Sequence, residues 1–276
     1  MELINRALGG LLDAALSPFQ SLPPIVGLAV VSAVVAIAML LVARATSNQR
    51  AIVEVKRRIQ AGIFEIRLFN DDVRALYSMR DVLRHNLTYL RLSLAPLAWM
   101  VLPLALLIAQ LQFYYGYNGF LPGQSAVITV RLKEAAAASN SRFPVVSLAA
   151  PAGVNVQTPP VWIPSEREVA WRIGFDQPGD YELVVSLDET AVTKSVRVSD
   201  RLGRRAPVRF ESGLLNQLLY PAEAPIAPGV PIEAIEVSYR EREVHLFGLS
   251  LDWMVAFFGL SLLFSWLLRS RFGVVL

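Results

Sequence analysis

The sequence predicts an integral membrane α-helical protein: three transmembrane helices, a basic cytoplasmic helical hairpin, and one extracytoplasmic all-β sandwich domain. Two observations carry this. Of 276 residues, 54% are apolar and 18% charged, against about 25% charged in an ordinary soluble domain; the shortfall lies in three stretches almost empty of charge. Between the second and third stretches, apolar and polar residues alternate in short runs bounded by turn formers, the period of half-buried strands.

Residues 1–22 repeat apolar groups at helical spacing (Leu3, Ile4, Ala7, Leu8, Leu11, Leu12, Ala15, Leu16, Phe19), with Glu2, Asn5, Arg6 and Asp13 on the opposite face. An amphipathic helix lying in the outer membrane–water interface has this pattern. A cleaved signal peptide is the competing reading, disfavoured by a weak basic n-region and by the longer apolar run that follows.

Residues 24–44 form the first span. Positions 25–43 carry no charge and end at Arg44, and at about 1.5 Å per residue such a run nearly crosses a hydrocarbon core of about 30 Å. Pro23 and Pro24 sit at its start, where a missing N–H matters little. Residues 45–91 read as two basic helices. One carries the stripe Ile52, Val55, Ile59, Ile63 and Ile66, the other Val73, Leu76, Leu83, Leu87 and Leu90, with Asn70-Asp71-Asp72 as the stop and cap between them. Arg50, Lys56, Arg57, Arg58, Arg67, Arg74, Arg80 and Arg84 crowd this short connection, which the positive-inside rule keeps cytoplasmic. A single long, kinked helix is the alternative to the hairpin.

The second span covers residues 92–116. Pro96 and Pro103 lie inside it, tolerated where neighbouring groups re-satisfy the backbone, and it ends in the aromatic belt Phe113-Tyr114-Tyr115-Gly116-Tyr117. The third covers 249–268, between Asp252-Trp253 and Arg269 with Arg271, and leaves a tail of 269–276. The alternation sets the topology N-out and C-in. Basic residues are mostly arginine, with only Lys56, Lys133 and Lys194 as lysines, which suits a GC-rich bacterial genome; the expected location, given the apolar spans, is the bacterial inner (plasma) membrane.

Residues 117–248 make the outer domain. Alternation runs through 126–132, 169–175, 181–187 and 193–198, broken by Gln177-Pro178-Gly179-Asp180 and Asp188-Glu189. Short strands at this spacing suggest an antiparallel sandwich. Pro178-Gly179-Asp180-Tyr181 matches the Gly/Asp-x-Tyr corner of many Ig-like sandwiches, with Trp171 as the core tryptophan, so the domain is expected to be Ig-like. Leu214 to Leu219 fits a short helix, the Pro/Ala-rich 220–231 a surface excursion, and 232–244 a return to strand.

Little in the chain points to catalysis. Without cysteine there are no disulfides, thiolates or Cys-type zinc sites; only His85 and His245 are available as histidines. Phosphate-cradling glycine loops, G-x-S-x-G and H-E-x-x-H are absent. The acid pairs Glu166/Glu168 and Glu241/Glu243 sit beside Arg167 and Arg242 and read as solvated edge charges. The expectation is a non-enzyme without cofactor or metal, and a net charge of +3 gives no reason for a nucleic-acid partner. Partner-binding candidates are Trp162, set among Pro159, Pro160 and Pro164, and the exposed cations Arg57 and Arg58. Polar groups in or beside the spans, Arg44, Gln110 and Gln112, are the candidates for a groove.

The order of elements, and the stretch Leu87-Thr-Tyr-Leu-Arg-Leu-Ser-Leu-Ala-Pro-Leu-Ala-Trp-Met-Val-Leu-Pro103 running from hairpin into span, resembles the three-span branch of the YidC insertase superfamily over about residues 1–116 and 249–276. The resemblance implies a cytoplasm-open groove made polar by a basic residue, Arg44 by position, that lowers the barrier for hydrophilic segments. It departs from that branch in the large domain between spans two and three. The chain also resembles bacterial membrane proteins with a tail like Phe272-Gly273-Val274.

Two functions follow as expectations. One is a membrane-protein insertase or insertion/assembly chaperone acting on nascent membrane segments or other membrane proteins. The alternative is a non-catalytic envelope scaffold, held in the lipid bilayer, whose Ig-like domain binds a periplasmic or membrane partner.

Overall fold

The computed structural model describes residues 2–46, 49–68, 74–134, 145–246 and 248–273. The helices are α1 (Glu2–Leu16), α2 (Pro24–Thr46), α3 (Gln49–Leu68), α4 (Arg74–Tyr115), α5 (Leu214–Leu219) and α6 (Trp253–Phe272). Two compact units form, one of Met1–Gly27 with Leu106–Trp253 and one of Leu28–Ala105 with Met254–Leu276.

Among the described residues three helices are long and apolar enough to cross a membrane: Pro24–Thr46, Ala98–Tyr115 and Trp253–Phe272. In the second unit, Leu28, Ser32, Ala36 and Leu40 of α2 are buried while Val30, Val34, Ile37 and Leu41, on the opposite face, are exposed. A helix apolar on both its packed and its open face is built for lipid. The packed face is lined by small groups: Ser32 Oγ donates to the Phe257 carbonyl at 3.3 Å, and Ala256 and Ser261 of α6 are buried. Small residues at a seam let backbones approach where no hydrophobic effect drives helices together.

The expected second arm of the hairpin and the second span are one helix of 42 residues, about 63 Å long, with Pro96 and Pro103 in its interior. The expected stop at Asn70-Asp71-Asp72 lies outside the described residues. On α3, Ile52 and Val55 are buried and Ile63 is exposed; on α4, Leu83, Leu87 and Leu90 are exposed.

The first unit holds the β domain. Strands β1 (Ser125–Leu132), β2 (Val146–Ala149), β3 (Val154–Val156), β4 (Val161–Ile163), β5 (Glu168–Phe175), β6 (Gly179–Leu187), β7 (Thr190–Val198), β8 (Val208–Phe210) and β9 (Ile232–Val237) are followed by a hairpin of β10 (Glu243–Leu246) and β11 (Leu249–Asp252). A six-stranded sheet runs β3-β5-β1-β9-β8, with β4 also on β5, and a three-stranded sheet runs β2-β6-β7. All strand pairs are antiparallel. Alternation explains the core: Ile128 and Val130 of β1, Trp171 and Ile173 of β5, Leu183 and Val185 of β6, and Ile235 and Val237 of β9 all point into one cluster.

The expected closed, Ig-like sandwich does not form; the β region is open. β8, at one end of the large sheet, has only three residues, and the chain between β7 and β8 adopts no strand, so on its outer side β7 gains only a single parallel bridge, from Val198 to Phe120. Side chains occupy that side instead, as described below. The Tyr181 tie does form, its hydroxyl donating to the Gln177 carbonyl at 2.9 Å, and Trp171 is a core residue at 3% exposure. A local corner therefore exists without the Ig-like closure it was expected to accompany. An insertase-type helical core carrying an Ig-like insertion is accordingly not the architecture of this chain.

α1 belongs to the β-domain unit. It turns Asn5, Gly9 and Leu16 inward and leaves Ala7, Leu11 and Ala15 exposed. Tyr114 Oη donates to Asp13 Oδ1 at 2.5 Å, Asn5 Nδ2 to the Gln217 carbonyl at 2.5 Å, and the Leu202 N–H to the Gln20 carbonyl at 3.3 Å.

Candidate functional site

The open sheets have exposed ends, and an unpaired strand edge is a template for another chain unless something blocks it. Three of the ends are blocked. Beyond β5, the segment between β3 and β4 bonds back through Gln157 N–H to the Arg172 carbonyl and from Arg172 N–H to Thr158 Oγ1, and Pro159-Pro160 follow, which cannot donate to a ladder. β8 is short, and its continuation is closed by a bridge between Glu211 and Ile226.

β7 is blocked by side chains. Its inward row reads Val192, Lys194, Val196, Val198, so a lysine occupies a core position with no exposure. Its ammonium donates to Glu223 Oε2 at 2.6 Å, to the Ala206 carbonyl at 2.6 Å and to the Ser195 carbonyl at 3.3 Å. Burial pushes the Lys194 pKa down, opposed by the Glu223 charge. The other Glu223 oxygen accepts the Ser195 N–H at 2.8 Å, and Arg209 reaches the Thr193 carbonyl and, at 2.9 Å, its hydroxyl. Glu223 and Arg209 thus take up backbone groups on the outer side of β7.

Arg205, 1% exposed, folds the segment between β7 and β8 around its guanidinium, donating to the carbonyls of Ser199, Arg201 and Gly203 at 3.2, 2.8 and 3.2 Å. Burial lowers its pKa, and three carbonyl acceptors favour the cation. Tyr239 stacks on Phe120 with centroids 4.5 Å apart; burial raises its phenol to about 12. An open cleft of about 980 Å³ beside β7 is lined by Asp13, Asp180, Arg197, Asp200 and Arg201 among others. Arg197 forms a two-point ion pair with Asp180 at 2.5 and 3.0 Å. Mixed charge of this kind recruits neither anions nor cations as a class.

β2 is the remaining end. It pairs with β6 from Val146↔Leu187 to Ala149↔Val184, and among the described residues no strand covers its other side. Ser147 and Ala149 are exposed, and Val145 just before them is 78% exposed.

The predicted site residues scatter. Trp162, on β4, is half-buried and packs against the core. Arg57 and Arg58 lie exposed on α3, with Arg58 paired to Glu54 at 3.1 Å one turn away. Arg44 is exposed and belongs to the second unit, whereas Gln110 and Gln112 belong to the first. Gln110 is buried at 1% exposure, and Gln112 Oε1 accepts from Trp253 Nε1 at 3.0 Å. Of the acid pairs, Glu168 is bound by Arg131 at 2.7 Å while Glu166 is exposed. His245 Nδ1 lies 3.0 Å from Ser250 Oγ, and His85 is half-buried on α4. Lys194, Glu223 and Arg205 were missed. The signal for Lys194 is present in the sequence: in the alternation of β7 it holds a position in register with three valines.

No protein-family model matches the chain, and no curated protein matches it. The likeness to the YidC insertase superfamily is therefore overturned: no family match stands behind it, and the β region is open where a closed Ig-like insertion was expected.

Proposed function

We propose that this protein is a non-catalytic scaffold of a bacterial inner membrane, oriented N-out and C-in, whose β domain takes up an extended segment of a partner protein along β2. The observation that carries the proposal is the contrast between edges. β7, β8 and the β3–β4 end are blocked by side chains, shortness or proline, while among the described residues no strand pairs with β2 on the side away from β6. Addition of a strand to an open edge provides main-chain affinity, and alternate side-chain pockets provide specificity. The orientation is supported by the arginines between 44 and 91, which favour the cytoplasmic side. The bilayer is the anchor, and the exposed cations of α3, Arg57 and Arg58, face headgroups or a cytoplasmic partner.

The test uses full-length protein recovered from its native membranes, with and without Ser147→Lys and Ala149→Lys together. Both positions are exposed, and lysine is a natural edge blocker. A protein that copurifies with the unaltered chain and is lost from the double variant supports the proposal. The same set of proteins on both refutes it.

A further inference from the structure

We infer that α5 is a lipid-facing foot of the β domain, its leucines seated in the membrane–water interface among phospholipid acyl chains. The sequence of α5 is Leu-Leu-Asn-Gln-Leu-Leu, and its amphipathicity is inverted for a helix in water. Leu214, Leu215 and Leu219 are 76, 72 and 55% exposed, while the polar Asn216 and Gln217 are half-buried. Asn216 Nδ2 donates to the Glu211 carbonyl at 3.3 Å, and the Gln217 carbonyl accepts from Asn5 at 2.5 Å. Contiguous leucines turned outward while amides are turned inward mark an interaction surface rather than ordinary surface composition.

The occupant follows from where α5 is tied. It packs on α1, and α1 is joined through Ser17–Phe19 and four further residues to Pro24, the first residue of a membrane-length helix. At its other end Tyr220 lies 6.4 Å from the ring of Phe113, in the last turn of the membrane-length segment Ala98–Tyr115. Two independent attachments thus hold α5 at the depth where two apolar helices leave the hydrocarbon. A small pocket beside α5 is lined by Arg6, by Arg204, which donates to the Pro221 carbonyl, and by Glu223; Arg6 there supplies a cation for headgroup phosphates while neighbouring apolar groups enter the acyl region. A lipid surface satisfies both sets of groups at once.

The inference rests on the membrane reading above but not on β2 or on the orientation. The chain contains no cysteine, so a single Leu215→Cys can carry an environment-sensitive fluorophore in the full-length protein, reconstituted in vesicles of phosphatidylethanolamine and phosphatidylglycerol. Val34→Cys, within α2, reports whether that helix is in lipid, and Val145→Cys, next to β2, serves as the aqueous control. Leu219→Cys substitutes if Leu215→Cys does not fold. The expected result is loss of emission at 215 with nitroxide-bearing lipids and protection there from iodide, with the reverse at 145. Quenching by lipid at 34 but by iodide at 215 overturns this inference alone. Protection of 215 from both quenchers shows a protein cover, a second copy or a partner, and also overturns it. Absence of lipid quenching at 34 removes the membrane reading and this inference with it.

Discussion

Lys194 Nζ lies 2.6 Å from Glu223 Oε2 at the wall of the β-domain core, joining a strand to a proline-rich excursion 29 residues away. With side chains 0% and 13% exposed, the two charges depend on each other. A buried ion pair broken on one side leaves the other charge uncompensated, at about 3–5 kcal/mol, whereas replacing both by apolar groups of similar volume is often neutral. Lys194→Met and Glu223→Leu are each expected to lower the thermal midpoint of the full-length protein strongly, and the double variant to lose clearly less than the sum of the two, the Ala206 carbonyl and the Ser195 N–H remaining without their partners. Additive losses in a double-mutant cycle would falsify the pairing.

Tyr239 gives the domain a sign-defined alkaline response. Its phenol is raised to about 12 by burial from an unfolded value of about 10. Between those values the unfolded chain has lost the proton and the folded one has kept it. The contribution to stability is complete below about pH 10 and is lost as pH rises through 12. Tyr239→Phe should flatten the fall in stability between those pH values relative to the unaltered protein. Identical slopes would remove Tyr239 from the response.

Gly153 and Tyr181 form the corner that holds β3 to β6. Gly153 has φ +97°, and a β-carbon there would meet Tyr181 Oη at 2.5 Å. Gly153→Ala therefore combines backbone strain with displacement of the phenol that binds Gln177. Tyr181→Phe removes a bond worth about 1 kcal/mol and leaves the ring. Unfolding measurements should rank Gly153→Ala as the more damaging, and the reverse order would contradict this geometry.

The two tryptophans of the β domain separate core from edge. Trp171 is 3% exposed, and Trp171→Ala should destabilise by about 3–5 kcal/mol. Trp162 is half-buried on β4, so Trp162→Ala should be milder in the same unfolding measurement. Equal losses would place Trp162 in the core proper.

Much of this fold was legible because its signals are local. Residues 25–43 lack any charge, and no tertiary context is needed to see a membrane-length helix. The alternation of 126–132 and 169–175 likewise shows which side chains meet the core. What stayed hidden is nonlocal. Whether β7 meets another strand depends on Glu223 and Arg209, far away in the chain, so closure is not legible in the sequence, whereas the Tyr181 corner, tied to Gln177 four residues away, is local. α4 runs unbroken from Arg74 through Pro96 and Pro103 to Tyr115, so the boundary placed between residues 91 and 92 separates two regions of one helix. Leu214 to Leu219 was read as a helix, but the face it shows to the outside is set by Asn5 and Tyr220, which strand or helix periodicity does not reveal. Of the candidate site, the β2 edge was invisible for the same reason: an edge is defined by what the other strands do.

The central claim is that β2 receives a partner strand while the other edges do not. A photo-crosslinking residue at Ser147, with Val161 of the proline-guarded edge as control, tests it in intact membranes on the full-length chain. Val161 is 54% exposed, so reach is not the difference between the sites. The expected result is a discrete protein adduct at 147 and none at 161. No adduct at 147, or the same adducts at both positions, would contradict the claim.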